Sequence, residues 1–266
     1  MNREGLVDTG TGPAVVLLHG FPHTPRLWDA VLPRLAQTHR VIAPNLVAGG
    51  DGQALAAAVA DLLDGLGIER ADVVGIDAGA PPSFILALSR PERVRRLVLM
   101  ESLLGRLPGA ESFLANGPPW WFGFHQAPGL AETVLEGHER EYIEWFLRAG
   151  THGGRGVAPE IRHAFVSAYT GRTALASAFA HYRALPVTAA QIASLVVEQG
   201  RRLSMPVLAI GAHPIGPALA AQLRPVASNL TEVQLENCGH IIPLDAPGPL
   251  LEVLVPFLLT PGLKDS

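Results

Sequence analysis

Val73-Val74-Gly75-Ile76-Asp77-Ala78-Gly79-Ala80 is the stretch whose reading decides the fold. It combines a short apolar strand, a sharp turn with a glycine on either side of one acid, and the small-residue start of a helix. Glycines two before and two after the central residue let the backbone turn so tightly that Asp77 is lifted above the end of the sheet. In the G-x-S-x-G form of this turn the lifted residue is a serine, which suits attack on a carbonyl. A carboxylate in its place can displace a leaving group at a saturated carbon and form an alkyl ester that water then opens. The same aspartate would also serve as the N-cap of the helix running from about Ala78 to Ser89, so the turn alone leaves both readings open.

Outward from this turn, strands and helices alternate. Ala14-Val15-Val16-Leu17-Leu18 is a continuous apolar run of the kind buried in a parallel sheet, and it ends in His19-Gly20-Phe21-Pro22. Helical spacing over Leu27 to Ala36, a strand over Arg40 to Pro44, a glycine-rich loop from Ala48 to Gly52 and an alanine-rich helix from about Leu55 to Leu66 lead to the elbow strand, Asp72 to Ile76. The next strand, Val94 to Met100, ends in Glu101. This order predicts an α/β chain with a mostly parallel, doubly wound sheet. From about Leu103 to Val187 the strand signal vanishes. Helical segments take over at Trp120 to Gln126, Leu130 to Ala149, Pro159 to Tyr169 and Arg172 to Leu185, before strands resume at Met205 to Ile210 and Leu230 to Leu235. The expected organisation is a core over 1–102 and 188–266 with a helical cap over 103–187, lying above the carboxyl ends of the strands where ligands of such sheets bind. Pro249 to Leu259 reads as a closing apolar helix.

With 266 residues, one α/β domain carrying an insertion is expected rather than two independent domains. The formal net charge of -4 comes from interspersed acids and bases, which argues against nucleic acid and against an anionic membrane surface as partners. A small-molecule substrate is expected instead, with the oligomeric state left open and a homodimer as one option. A single cysteine, Cys238, excludes an intramolecular disulfide framework, and no metal-binding spacing occurs. Met1-Asn2-Arg3-Glu4 lacks the apolar run of a signal peptide, and no stretch approaches a membrane-spanning length, so a cytoplasmic enzyme is expected.

His19-Gly20-Phe21-Pro22 after the first long strand, Gly75-Ile76-Asp77-Ala78-Gly79 at the elbow, Cys238-Gly239-His240 after the last strand and the helical segment between them together resemble the α/β-hydrolase fold, in its epoxide hydrolase and dehalogenase branch. Phe124-His125-Gln126-Ala127-Pro128-Gly129-Leu130-Ala131-Glu132 and Arg140 to Phe146 are similar to the corresponding cap stretches of epoxide hydrolases. The resemblance implies Asp77 as nucleophile and His240 as the base that activates water, although a loop histidine is also an ordinary satisfied polar residue. The base needs an acid to fix its tautomer. Of the two positions this fold uses, Gly211-Ala212-His213-Pro214 offers no carboxylate, so Glu101 is chosen over its reading as a solvated strand-end acid. The backbone amides of Phe21 and Ala78 are expected to form the oxyanion hole.

The resemblance also implies two cap tyrosines that hold the epoxide oxygen. Tyr182, in His181-Tyr182-Arg183-Ala184, matches the second, whereas Phe124 stands at the first and cannot donate a hydrogen bond. Trp120, Trp121 or His125 would then complete the cradle or line the substrate wall, with cap packing as the alternative for the tryptophans. Ala78 stands where many relatives carry a Trp or Arg for halide or carboxylate, which argues against dehalogenation, and Asn45 to Gly52 replaces the usual acidic loop. The expected activity is a cofactor-free epoxide hydrolase acting on a bulky apolar or aromatic epoxide. The rivals are a dehalogenase or other hydrolase with the same nucleophile, and a non-hydrolytic relative that binds or cyclises a natural-product-like ligand.

Overall fold

A computed structural model of the chain describes residues 5–46 and 50–260. The expectations placed on Met1 to Glu4 and on Val47 to Gly49 lie outside the described residues. Seven strands make one sheet: β1 (Val7–Thr9), β2 (Ala14–Leu18), β3 (Arg40–Ala43), β4 (Ala71–Ile76), β5 (Val94–Met100), β6 (Val207–Gly211) and β7 (Leu230–Gln234), in the spatial order β1-β3-β2-β4-β5-β6-β7. β1, too short and polar to be read from the sequence, pairs antiparallel with β3, and every other pair is parallel. β2, β4 and β6 are buried along their whole length, which explains their unbroken apolar runs.

Successive side chains of these strands enter two different cores, as the two-residue period of a strand requires. Val16, Leu18, Val73, Leu97 and Ala209 pack with α2 (Gly52–Gly65) and α3 (Ala80–Ser89). Val15, Leu17, Val74, Val98 and Ile210 pack on the other face, where α1 (Leu32–Leu35) contributes Leu35. Between β5 and β6 the described chain holds five α-helices: α4 (Trp120–Gln126), α5 (Leu130–Leu135), α6 (Glu139–Ala149), α7 (Pro159–Ala168) and α8 (Arg172–Ala193). Their apolar side chains, among them Leu135, Ile143, Phe165 and Phe179, extend the second core beyond the strand ends. α9 (Ala218–Leu223) and α10 (Ile242–Asp245) were not legible in the sequence, and α11 (Pro247–Leu259) begins two residues earlier than expected and ends at the expected residue.

Several helices differ from their expected extents, each for a local reason. Leu27 to Ala36 is not one helix but a 3-10 turn, Pro25–Trp28, followed by α1, because the ring of Pro33 in a continuous helix would meet the carbonyl four residues back. α2 starts at Gly52 rather than Leu55, with Asp51 as N-cap accepting from the Ala54 amide at 3.0 Å. The expected helix over Leu130 to Ala149 is broken at Gly137, whose φ of 85° is left-handed. α8 runs past Leu185 and through Pro186 to Ala193, so the 187/188 boundary falls inside a helix. Pro186 has no N–H for the Tyr182 carbonyl, and the helix continues into a π turn, Ser194–Glu198.

Candidate active site

Asp77 leaves β4 at the centre of the sheet with φ of 52°, in the left-handed region that non-glycine residues seldom occupy. The turn is held by the hydroxyl of Ser102, which donates to the Asp77 carbonyl at 2.8 Å. Its close packing requires glycine at two positions: a Cβ on Gly79 would overlap the Leu18 carbonyl, and one on Gly20 would overlap the Asp77 carboxylate. The N-cap of α3 is Gly79, with no side-chain cap bond, so Asp77 does not serve as that helix cap. Its Oδ1 accepts the Phe21 amide at 2.9 Å, and the Ala78 amide adds to the field that favours the ionised carboxylate.

The loop after β7 brings His240 to the same point. Its Nε2 lies 3.1 Å from Asp77 Oδ2, and its Nδ1 lies 3.3 Å from Glu101 Oε2. Glu101, also left-handed with φ of 39°, is completely buried. Its carboxylate accepts the amides of Ala212 at 2.6 Å, Ile215 at 3.3 Å and Gly216 at 3.3 Å. The turn after β6, which carries no acid of its own, thus supplies the donors that hold the acid of β5. Burial would by itself raise the Asp77 carboxyl, but the bond to His240, its charge and the two amides hold it well below the usual carboxylate range. Burial would likewise lower His240, and the two carboxylates override it and push the imidazole up to about 10. The resting state is therefore an imidazolium between two carboxylates. The loop is fixed in turn by Asp245, which accepts the Gly239 amide at 2.6 Å and the His152 amide at 2.8 Å.

Above the Phe21 amide, the Phe21 ring is surrounded by aromatic edges: Tyr169 at 5.2 Å, His125 at 5.4 Å, Phe146 at 5.4 Å and Tyr182 at 5.8 Å between centroids. His125 stacks on Phe179 at 4.1 Å and stands 4.3 Å from the Tyr182 ring. Its Nε2 is 2.6 Å from the Tyr142 hydroxyl, whereas its buried Nδ1 has no partner among the described residues. Burial, with the Arg183 charge adding to it, pulls the His125 imidazole down to about 3, so the ring is neutral. Burial, reinforced by the Asp77 charge, raises the Tyr182 hydroxyl well above its ordinary value.

The remaining aromatic residues singled out in the sequence, Trp120, Trp121 and Phe124, are not among the rings that meet Phe21. Trp120 is 57 % exposed and packs with Trp121, Phe124 and Trp145 in an outer cluster. Its place at the exposed start of α4 separates it from the Phe21 ring. Phe124 lies between Trp120 and His125, and Trp121 reaches the site through Phe146 and through Phe122, whose ring meets Tyr182. Conversely, Tyr169, which the resemblance did not direct inward, lines the cavity beside Phe21 and Ala78, with its hydroxyl donating to the His23 carbonyl at 2.6 Å. No local pattern in the sequence marks it, because its position comes from the end of α7 folding back over Phe21. His181 also lines this cavity, and its signal was its place next to Tyr182.

The family described as the alpha/beta hydrolase fold matches residues 13–247. A soluble epoxide hydrolase of Corynebacterium sp. (strain C12) is 25 % identical over 96 % of this chain and 93 % of its own length. A fluoroacetate dehalogenase of Burkholderia sp is 27 % identical over 66 % of this chain and 63 % of its own. The crystal structure of Cfl2 from Burkholderia cenocepacia superposes with a TM-score of 0.84 at 32 % identity, covering 95 % of this chain and 91 % of that one. The sheet order, the left-handed elbow and these matches agree, and the chain belongs to the alpha/beta hydrolase fold family as a hydrolase of that superfamily.

Proposed function

We propose that the protein is a cofactor-free epoxide hydrolase. The observation that carries this reading is the elbow carboxylate itself, raised at Asp77 with His240 Nε2 at 3.1 Å and the buried His125–Tyr182 pair across the Phe21 ring. Asp77 attacks one epoxide carbon, the C–O bond breaks, and the ring oxygen takes a proton from the Tyr182 hydroxyl while accepting a hydrogen bond from His125. In this reading the Tyr142 hydroxyl, 2.6 Å from Nε2 of His125, is the donor of that bond, and the proton of the neutral ring sits on Nδ1, the nitrogen without a partner among the described residues. His125 thus fills the role of the missing first tyrosine, and Trp120 and Trp121 are packing residues of the region 103–187, which acts as the cap.

Esterification removes the Asp77 charge. The imidazolium of His240 then loses one of the two carboxylates that sustain it and its pKa falls, so it gives up its Nε2 proton. A proton returns to the Tyr182 oxygen by way of solvent, and the neutral ring is the base that takes a proton from water and later passes it to the departing diol oxygen. The resulting hydroxide attacks the ester carbonyl, the developing oxyanion is held by the Phe21 and Ala78 amides, and Asp77 is released with one oxygen from solvent. Glu101 keeps the proton on Nδ1 of His240. The relative named as a fluoroacetate dehalogenase motivates the second reading, halide displacement by the same acid, but Ala78 and a cavity wall without Arg, Lys or Trp offer a departing halide neither a cation nor an indole.

The test is a single turnover of an aryl epoxide with excess enzyme in heavy-oxygen water. The label should enter Asp77 and be absent from the first diol. Label in the first diol would exclude an ester on Asp77, and halide release from matched haloalkanes without any diol from epoxides would favour the second reading.

A further inference from the structure

The cavity beside the Phe21 and Ala78 amides has a polar wall that the reaction does not use. Of its polar residues, most are engaged within the protein. His19 bonds the Gly20 carbonyl through Nδ1 at 2.9 Å and accepts the Leu46 amide on Nε2 at 3.1 Å. Asn45 lies against His19 at 3.3 Å, Thr24 accepts the Arg26 amide, and the Tyr169 hydroxyl is given to His23. Ser177 and His181 are different. Both line the cavity, and neither side chain has a hydrogen-bond partner among the described residues. They are four residues apart on α8 and so share one face of it, together with Ala174 and Ala178, whose small side chains leave room before them. No Lys, Arg, Asp or Glu lines this cavity. The Asp77 carboxylate beneath it adds negative potential, and burial lowers His181, so its ring is neutral and offers one donor and one acceptor.

We propose that His181, assisted by Ser177, reads one uncharged hydrogen-bonding group on the substrate, so that the preferred substrate is a neutral epoxide carrying a hydroxyl or carbonyl near the ring rather than a bare hydrocarbon epoxide or an epoxy acid. This rests on the epoxide-opening reading and extends it. A hydroxyl matches an imidazole because each gives and accepts one bond, and Ser177, one helical turn away, meets a second lone pair. A carboxylate would enter a wall with no cation and face Asp77, and burying an unpaired charge is far costlier than burying a hydroxyl that finds a partner.

The test compares an epoxy alcohol, the alkyl epoxide of equal length and the corresponding epoxy acid, by kcat/KM, on wild type, His181→Phe and Ser177→Ala. Wild type should favour the alcohol over the alkyl epoxide by about threefold to tenfold, the range of one net hydrogen bond, and should discriminate against the acid more strongly. His181→Phe should abolish the preference through KM while leaving the alkyl epoxide within about twofold, Ser177→Ala should reduce it, and His181→Asn should restore part of it. A binding arm removes the dependence on turnover: cyclopropyl analogues, in which the ring cannot open, are titrated calorimetrically against the same proteins. Retained preference for the cyclopropyl alcohol with no turnover of any epoxide would contradict the epoxide reading and leave the wall assignment standing. Equal affinity of wild type for alcohol and hydrocarbon, or an unchanged preference in His181→Phe, would overturn the proposal.

Discussion

At Asp77 and His240 the chemistry rests on one ion pair, and its pH dependence follows from the direction of each shift. His240 is raised from an ordinary 6.5 to about 10 in the folded protein. The stability this contributes is fully present below 6.5 and is lost as pH rises through about 10. Asp77 is lowered from an ordinary 3.8, so its contribution is present above 3.8 and is lost as pH falls through the lowered value. The difference in melting temperature between wild type and His240→Gln should therefore shrink steadily between pH 6.5 and 10. A difference that stays constant across that window would contradict the ion pair. At the same scale, Tyr182→Phe should slow ester formation by on the order of a hundredfold, the range for removing a positioned acid or oxyanion donor. Trp120→Phe, in the outer cluster, should stay within about twofold in the same single-turnover measurement. The structure brings Asp77, Glu101 and His240 together, but local sequence alone left each an ordinary alternative, a helix cap, a solvated strand-end acid and a satisfied loop histidine, and the family resemblance pointed to their grouping. The sequence left Trp120, Trp121 and His125 as alternatives, with His125 behind the tryptophans, since only the fold of the helices decides which ring meets Phe21.

Elements carry these residues to one another, and the least tolerant of them is the turn after β2. Gly20 has no catalytic group, yet a methyl there would occupy the space of the Asp77 carboxylate. Gly20→Ala should fold, keep a melting temperature near that of wild type, and lose at least about a hundredfold in ester formation, because displacing a reacting group by even an ångström has that effect. Circular dichroism melting and single-turnover kinetics on one preparation check both halves, and an active Gly20→Ala would show that the carboxylate can move freely. The central strands were readable because burial on both faces writes them as apolar runs, whereas helix limits were misread where one residue acts against the pattern. Pro33 divides an apolar spacing that looks continuous, and Pro186 suggests an end that packing of α8 overrides. β1 escaped because an edge strand of three residues needs no apolar alternation.

Across the whole molecule, stability and chemistry sit at opposite ends of β4. Asp72 at its start is completely buried and bonds Arg95 at 2.9 and 2.7 Å and Arg96 at 3.3 Å. The irregular register between Ala71 and Asp72, opposite Val94 and Arg96, places Arg95 as an extra residue, which lets both guanidinium groups reach one carboxylate. Arg96 also bonds the Thr260 carbonyl, tying the end of α11 to the sheet. Asp72→Ala leaves two cations without their partner and should cost about 3–5 kcal/mol by chemical denaturation, while turnover per folded molecule at low temperature stays near wild type. A loss of turnover in step with stability would mean that the two ends of β4 are not independent.

The central claim, an ester on Asp77 that His240 is needed to open, is tested most directly by the intact mass of His240→Gln after incubation with an aryl epoxide that wild type converts to its diol. The expected result is a mass raised by that of one epoxide, with peptide mapping locating the adduct on Asp77. A folded His240→Gln that stays unmodified over an incubation long enough for many wild-type turnovers, or an adduct on another residue, would contradict it.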